Sequence, residues 1–373
     1  MFQVIVNIHD ETNLYHASKA LAGLYGLAAQ GQASVQLTRK GFAPPHPAVL
    51  QLEVADQDNL GAGRRRIAID LLDRGDLFDH GALSSCDVYF KRSYFEPELP
   101  TSLVEREKIR PWGLNFPCRQ AGGAARHWLL LARGFLAGGA RAAWRGPQAL
   151  HRWTLSARQF ACLPAASQFE ASTDEPLEPV VVYQTRLWEQ HETEPDDAAA
   201  INRQRVQIVR ALRRTLGRAF LGGLVATPLA RREYPDEVVS PAESRMANYA
   251  ARSRRAAIGV YTRGLHHSSA FKLAEYLAGG KAIVAEGLRN QTPAALEPDE
   301  HWLAFRDADE CVQQCRQLLQ DQERRTALRR AAAEYYRRYV EPMAHLRWTL
   351  DEAFRQSSQG VWFPSHARAL EVV

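Results

Sequence analysis

The chain alternates short apolar runs with helical stretches, and this pattern is present in both halves of the sequence. In the first half the apolar runs are QVIVNI (3–8), SVQLTR (34–39), VLQLEVA (49–55), RRRIAIDLL (64–72), DVYFKRSY (87–94) and the segment 109–116, with an Ala/Leu-rich helical stretch at 12–29. Such alternation is typical of a parallel sheet flanked by helices. We therefore predict one Rossmann-like domain in this half.

The second half repeats the arrangement after an interruption. Residues 126–160 break the rhythm, and the segment 164–179 is rich in Pro, Ser and acidic residues, as expected of a linker. The later strand runs are VVVYQTRLW (180–188), LGGLVA (221–226), AAIGVYTRG (256–264), KAIVAEG (281–287) and HWLAF (301–305). A chain of 373 residues also exceeds one comfortable hydrophobic core. We predict an α/β protein with Rossmann-like domains over 1–170 and 176–350, a cleft between them, and a C-terminal tail over 351–373.

Charge and composition narrow the classes of partner. The net charge of +5 favours anionic partners such as nucleotide phosphates or an acidic membrane surface. Nucleic acid is not expected, because the arginines are spread along the chain and no recognition-helix motif is present. The five cysteines are scattered and complete no zinc-ligand set. No apolar run is long enough to span a bilayer, and the N-terminus lacks a secretion signal, which together predict a cytoplasmic protein.

The most informative segment is YTRGLHHSSAFKLAEYLAGGKAIVAE, at residues 261–286. A strand ends early in this segment, and Ser268 and Ser269 then occupy positions typical of a helix N-cap. The amide groups and the dipole at the start of such a helix favour a bound anion. Lys272 in the first turn adds a charge suited to a diphosphate. Glu275, on nearly the same face, is suited to accept hydrogen bonds from both ribose hydroxyls.

The same spacing also fits an ordinary helix–strand unit whose lysine and glutamate are solvated. However, SSAFKLAEYLAGGKAIVAE resembles the donor-site motif of glycosyltransferases with the GT-B fold, in particular the family-4-like, or group 1, type of C-terminal domain. The resemblance is clear over 255–345, weak over 180–255 and limited to topology over 1–170. It implies a nucleotide-diphosphate sugar as the donor substrate, with no cofactor and no metal ion.

The resemblance also implies roles for individual residues. Lys272 matches the lysine that contacts the diphosphate, and Glu275 matches the acid that binds the ribose. Arg186 in VVYQTRLWE matches a second phosphate contact, which follows the first strand of the domain. Ser268 and Ser269 fall within the same donor site. In the resembled fold, the C-terminal tail returns to the first domain.

One departure from the family pattern leaves two questions open. Many retaining members carry a second acid eight residues before the ribose-binding acid, and this chain has His267 at that position. The stereochemical outcome is therefore undecided between retention and inversion. A transferase acting on a cell-surface polysaccharide, lipopolysaccharide or lipid-linked acceptor is the first interpretation. A non-catalytic nucleotide- or glycan-binding subunit with the same fold is the alternative.

Other polar residues lie at predicted strand ends. His9 and Asp10 follow the first strand, at the edge where ligands bind in open α/β sheets. Either residue is a candidate for the base of an inverting reaction, although Asp10 is also well placed to cap the next helix. Lys91 and Arg92 end a later strand, where they either hold an acidic acceptor or the donor phosphate, or are simply solvated.

Residues 126–154 form a basic stretch that contains no acidic residue and carries Trp128 and Trp144 among several arginines. Such an amphipathic segment is able to lie on an anionic membrane surface. A lid or a packing helix fits the same composition. The glycines in this stretch lower the helix propensity of the amphipathic segment. Peripheral contact with the inner face of a membrane is thus one of two interpretations.

Overall fold

The computed structural model describes residues 1–9, 11–59, 61, 63–122, 129, 139, 142–172 and 176–355. Its strands are β1 (Phe2–Asn7), β2 (Ala33–Thr38), β3 (Val49–Asp56), β4 (Arg64–Asp70), β5 (Val88–Lys91), β6 (Ile109–Pro111), β7 (Glu178–Thr185), β8 (Phe220–Leu224), β9 (Ala256–Tyr261), β10 (Ala282–Ala285) and β11 (Trp302–Ala304). Its helices are α1 (Leu14–Ala29), α2 (His80–Ser85), α3 (Leu103–Arg106), α4 (Pro147–Ala161), α5 (Pro195–Leu216), α6 (Pro228–Glu233), α7 (Met246–Arg255), α8 (Phe271–Ala278), α9 (Ala308–Gln320), α10 (Gln322–Tyr335) and α11 (Pro342–Phe354). The predicted α/β class with two Rossmann-like units is confirmed.

The first sheet contains six strands in the order β2-β1-β3-β4-β5-β6. Most neighbours are parallel, but β3 runs antiparallel to both β1 and β4. The prediction of a parallel sheet is therefore wrong at VLQLEVA. The links at 39–48 and 57–63 explain the difference, because a parallel crossover needs about a dozen residues or more and these links are shorter.

The second sheet contains five parallel strands in the order β11-β10-β9-β7-β8. The strand order reverses at β7, which has β8 on one side and β9 on the other. In open parallel sheets, ligands bind beyond the carboxyl ends of the strands at such a switch point. The segments that leave the sheet there are the loop starting at Arg186 and the loop 262–270.

Apolar clusters fill each domain and also join the two domains. One cluster packs β1, β3 and β4 against α1 and includes Leu346 and Leu350 of α11. A second lies between the second sheet and α5 and α9. A third joins Leu114 and Phe116 of the first domain to Tyr261 and other residues of the second. Because this shared cluster keeps apolar surface of both domains away from water, it stabilises their present arrangement.

The last described helix, α11, packs against α1 and brings the chain back to the first domain. At this contact Lys19 is buried, and its Nζ donates to the Leu114 carbonyl at 2.6 Å. The same Nζ lies 2.6 Å from Nδ1 of His345 on α11. Burial lowers the pKa of Lys19 to about 7. Residues 356–373, which make up most of the predicted tail, lie outside the described residues.

Candidate functional site

The loop between β9 and α8 carries most of the predicted donor-site residues. α8 begins at Phe271 with Ala270 as its N-cap, so the prediction that Ser268 and Ser269 cap this helix is wrong. The physical reason is a tight turn, in which the Gly264 N–H donates to the Ser268 carbonyl at 2.8 Å. A Cβ at Gly264 would lie 2.5 Å from the Ser268 hydroxyl oxygen, so any other residue there would force the Ser268 side chain to move. Both serines are buried, at 3% and 7% exposure.

The amide groups suited to an anion therefore lie later in the chain than the serines. The Ala270 N–H donates to the Tyr261 hydroxyl at 3.0 Å and is used within the protein. The N–H groups of Phe271 and Lys272 belong to the first turn of α8, where a helix supplies no carbonyl partner. Together with the helix dipole, they favour an anion at Phe271–Lys272.

Two consecutive histidines in this loop have left-handed backbone conformations. The φ angles of His266 and His267 are 53° and 58°. Residues outside this loop hold both conformations in place. The His266 N–H donates to Asp197 at 2.9 Å, and the His267 carbonyl accepts from Asn290 at 3.1 Å. Such strain in residues other than glycine costs about 1–3 kcal/mol each and is concentrated at functional sites. His267, at the position of the family's second acid, is exposed.

Lys272 and Glu275 form an ion pair on α8. The Lys272 Nζ donates to Glu275 Oε2 at 2.8 Å, and the lysine side chain is 30% exposed whereas the glutamate is 3% exposed. The ammonium also lies 3.4 Å from the ring centroid of Tyr249 on α7, which places it in a cation–π contact. Burial lowers the pKa of Lys272, and the charge of Glu275 opposes this shift. The alternative of a solvated glutamate is therefore wrong.

Arg186 follows β7 at the switch point, but its side chain is held within its own loop. Its Nη2 donates to both carboxylate oxygens of Glu192, at 2.5 and 2.7 Å, and its guanidinium lies 4.0 Å from the ring centroid of Trp188. The buried Arg205 donates to the carbonyls of Arg186 and Arg263, at 2.7 Å each. Arg205 therefore connects the backbone at Arg186 to the backbone at Arg263, in the segment that leads to α8.

Glu286, at the end of KAIVAE, was not among the predicted site residues. It follows β10 and accepts hydrogen bonds from Gln204, at 2.8 Å, and from the backbone N–H of Arg263. Burial raises the pKa of its carboxyl group. An acid directly after a buried strand, at the ligand edge of the sheet, was the available signal. Glu286 holds the start of the loop that leads to α8.

Lys91 contributes to the core rather than to a ligand site. Its Nζ donates to Asp70 at 2.8 Å, and both side chains have 0% exposure. Asp70 also accepts from the Tyr89 hydroxyl at 2.7 Å. Both interpretations of Lys91, as a ligand-binding cation and as a solvated one, are therefore wrong. The cause is the register of β4 and β5, which pairs Asp70 with Lys91.

Arg92 reaches from the first domain to the second. Its Nη2 donates to the Ser269 carbonyl at 3.0 Å, and its guanidinium lies 4.9 Å from the centre of the Phe271 ring. Its Nη1 binds Asp73 in the first domain. Arg92 is only 3% exposed, so the alternative of a solvated strand end is wrong here as well. It joins the loop after β5 to the start of α8.

The first turn of α1 packs against Phe271, the phenylalanine that Arg92 contacts. The ring centroids of Tyr15 and His16 lie 6.1 and 5.6 Å from that of Phe271, and the His16 ring is edge-on at 83°. Burial lowers the pKa of His16, and the charge of Arg92 adds to this effect, whereas Asp73 opposes it. The carboxyl ends of the two sheets therefore approach each other at Phe271.

The two predicted candidates for a base stay predictions. Asp10 lies outside the described residues. The His9 ring is engaged in its own loop, because its Nδ1 accepts from the Glu11 N–H at 3.1 Å and its Nε2 lies 3.4 Å from the His46 carbonyl. A ring whose two nitrogens both face backbone partners has no free lone pair for an acceptor hydroxyl.

Across the described ranges, no three His, Cys, Asp or Glu side chains converge as ligands for a metal ion. None of the helices in these ranges combines the length and the apolar composition needed to cross a bilayer. The predicted membrane segment 126–154 is described only at 129, 139 and 142–154, where Trp144 is 95% exposed.

Residues 196–351 match the model of a family described as "Glycosyl transferase-like". No curated protein matches the chain. Among solved structures, the chain is similar to the C-terminal domain of a glycosyl transferase group 1 family protein from Francisella tularensis, with 11% identity, a TM-score of 0.31, and coverage of 46% of this chain and 95% of that one. It is also similar to sucrose-phosphate synthase from Thermosynechococcus elongatus, with 12% identity, a TM-score of 0.35, and coverage of 90% and 92%.

The family match includes α5, the loop before α8, and α8 itself, so it covers the predicted phosphate- and ribose-binding residues Lys272 and Glu275. Arg186 and the whole first domain lie before the matched region. The glycosyl transferase-like match therefore falls on residues 196–351 of a chain with two Rossmann-like units, which supports the predicted resemblance to glycosyltransferases of the GT-B type.

Proposed function

We propose that this chain transfers a sugar from a nucleotide-diphosphate sugar to a cell-surface polysaccharide, lipopolysaccharide or lipid-linked acceptor. The observation that carries the proposal is the Lys272–Glu275 pair at the start of α8, inside the segment that matches the family. Loss of the sugar leaves extra negative charge on the diphosphate. The first-turn amides of α8, its dipole and Lys272 are suited to stabilise that charge, so the proposal includes neither a metal ion nor a cofactor.

The ion pair suggests how donor binding proceeds. Glu275 is almost fully buried, and one of its oxygens already accepts from Lys272. We propose that the lysine moves from Glu275 to the diphosphate when the donor binds, and that the ribose hydroxyls take its place on the carboxylate. Arg186 approaches the phosphates from the facing loop after release from Glu192. The buried carboxylate then exchanges one set of hydrogen bonds for another, which avoids the cost of leaving it unpaired.

Glu275→Gln is expected to weaken donor binding and leave the fold intact. The amide keeps the shape of the side chain but removes the charge that strengthens each hydrogen bond to the ribose. Hydrogen bonds to charged groups contribute about 1.5–3 kcal/mol, so the loss of affinity should fall in that range. Isothermal calorimetry with the preferred nucleotide-diphosphate sugar measures it. Glu334→Gln, an exposed acid on α10, is the matched control. Equal affinity of the Glu275 variant and the parent would remove Glu275 from the donor site.

Contact with a membrane surface belongs to the same proposal. In the described part of the basic stretch and in α4, the exposed large apolar side chains are Leu129, Trp144, Leu150 and Leu155, and Arg145 is 65% exposed. Residues 142–161 contain no acid. Exposed apolar side chains among cations favour an anionic bilayer. This arrangement supports a cytoplasmic enzyme that contacts the inner membrane face when it uses a lipid-linked acceptor.

A non-catalytic nucleotide- or glycan-binding subunit is the second candidate function. The observation that favours it is His267 at the position of the second acid found in many retaining members of the resembled family. A binding subunit would retain donor affinity without releasing nucleotide diphosphate. Turnover therefore separates the two candidates, whereas affinity alone does not.

A further inference from the structure

The peptide unit between Ser269 and Ala270 is held by both domains at once. Its carbonyl oxygen, that of Ser269, accepts a hydrogen bond from Arg92 Nη2 at 3.0 Å. Its N–H group, that of Ala270, donates to the Tyr261 hydroxyl at 3.0 Å. Arg92 belongs to the first domain, and Tyr261 ends β9 of the second. Because a peptide unit is planar, partners on its two opposite edges fix the orientation of the whole unit.

This peptide unit sets the direction in which α8 begins. Ala270 is the N-cap of α8, and its side chain makes no capping hydrogen bond. The first-turn N–H groups of Phe271 and Lys272 follow directly, and the proposed function assigns these groups to the diphosphate. The hydrogen bonds from Arg92 and to Tyr261 therefore take the place of a side-chain cap at this helix.

The Arg92 guanidinium is fixed within the first domain. Its Nη1 donates to the Leu71 carbonyl at 3.3 Å and binds Asp73, and its centre lies 4.9 Å from the Phe271 ring centroid. Within the described ranges its Nε has no hydrogen-bond partner, although this atom is buried. A well-packed apolar side chain would avoid the cost of an unpaired buried donor, so stability alone does not account for an arginine at this position.

We propose that Arg92 is a positioning residue for glycosyl transfer, which acts through the Ser269–Ala270 peptide to hold the first-turn amides of α8 in the orientation that binds the diphosphate. This inference rests on the proposed function. Because Arg92 comes from the first domain, the anion site of the second domain is complete only when the two domains are in contact. The first domain thus takes part in holding the donor, although it lies outside the family match.

Arg92→Lys is the informative variant, because it keeps a positive charge beside Asp73. An ammonium on a flexible stem does not replace the planar fork that binds Asp73 and the Ser269 carbonyl together. We expect kcat for release of nucleotide diphosphate from the preferred donor to fall by about 10²-fold, the loss that a displacement of about 1 Å causes. Arg92→Met leaves without its partner only Asp73, which is 40% exposed, and should give a loss of the same kind.

Calorimetry separates positioning from a general effect on the fold. The ligands are the tightest-binding of UDP, GDP, ADP and TDP, and the nucleoside of the same base. In both Arg92 variants the affinity for the nucleotide diphosphate should fall by about 10-fold, equivalent to one hydrogen bond, whereas the affinity for the nucleoside should stay parental. Arg74→Met is the matched control and should behave like the parent, because Arg74 also crosses to the second domain but binds Glu194 at the start of α5.

Tyr261→Phe tests the same peptide unit from its other edge. It removes the hydroxyl that accepts from the Ala270 N–H and leaves the first domain unchanged. Tyr261→Phe should also lower the affinity for the nucleotide diphosphate selectively. When it is combined with Arg92→Lys, the loss of kcat should be smaller than the product of the two single fold-changes, because both substitutions act on one peptide unit.

Three results would overturn the inference and leave the proposed function standing. The first is a parental kcat in either folded Arg92 variant. The second is an equal loss of affinity for nucleotide diphosphate and nucleoside, which would assign Arg92 to the fold of the domain as a whole. The third is a loss in the double variant that equals the product of the single losses. If the parent binds none of the four nucleotide diphosphates, the proposed function fails and the inference fails with it.

Discussion

Replacing Lys272 by alanine is expected to lower kcat for glycosyl transfer by about 10²–10³-fold, the effect of removing one preorganised group that stabilises developing charge. The lysine matters most as the bond to the diphosphate breaks, because the leaving group then gains negative charge. KM should therefore rise less than kcat falls. Arg186→Ala should change the kinetics in the same direction. Lys272→Arg should not restore full activity, because a planar guanidinium does not replace a compact ammonium above the Tyr249 ring.

Lys272→Ala leaves Glu275 buried without its ion-pair partner. An effect of this variant on catalysis must therefore be distinguished from an effect on protein stability. Thermal unfolding of Lys272→Ala, followed with and without the nucleotide, reports any loss of structure at the assay temperature. Lys40→Ala, at an exposed lysine of the first domain, is the matched variant and should behave like the parent. A folded Lys272→Ala chain that turns over the donor at the parental rate would remove α8 from the donor site.

Lys91→Met is expected to lower the free energy of unfolding by about 3–5 kcal/mol, because it leaves the carboxylate of Asp70 buried without its cation. Both side chains are at 0% exposure, so no water replaces the lost partner. The Tyr89 hydroxyl remains as a donor to Asp70 but carries no charge. Urea unfolding followed by circular dichroism measures the difference between the variant and the parent.

Arg347→Met provides the comparison for Lys91→Met. Arg347 and Asp351 form an ion pair on the outer surface of α11, with side chains 48% and 43% exposed. Pairs in this setting contribute about 0.3–0.5 kcal/mol, so the variant should be nearly as stable as the parent. A loss in Lys91→Met no larger than that in Arg347→Met would show that the Lys91–Asp70 pair is not important for stability.

Local pattern was sufficient to predict the α/β class and most elements, because strands and helices have different apolar periodicities. It failed where the outcome depends on chain connections or on distant partners. The direction of β3 depends on the lengths of two links, and the sequence of VLQLEVA contains no sign of it. The helix N-cap was misplaced by one to two residues, because Gly264 and Ser268 form a turn that competes with capping by serine.

The candidate site was predictable only in its second-domain part. Lys272 and Glu275 are three residues apart on one helix, so their proximity follows from helical geometry. Arg92 and Ser269 are 177 residues apart, and His16 and Phe271 are farther apart still in sequence. No local pattern relates such residues, so the contribution of the first domain became visible only in the folded chain. The same limit applies to Lys91, whose partner Asp70 belongs to a neighbouring strand.

We propose that the chain cleaves a nucleotide-diphosphate sugar without a metal ion. The direct measurement is the release of nucleotide diphosphate from UDP-, GDP-, ADP- and TDP-linked sugars, with CMP-sugar as a control, in the presence of EDTA and monitored by mass spectrometry. We expect slow hydrolysis of one donor by the parent in chelator, and a large reduction in Lys272→Ala. No release from any donor, although calorimetry shows that one binds, would contradict the account and favour a binding subunit. Release that appears only after Mg²⁺ or Mn²⁺ is restored would contradict the metal-independent mechanism.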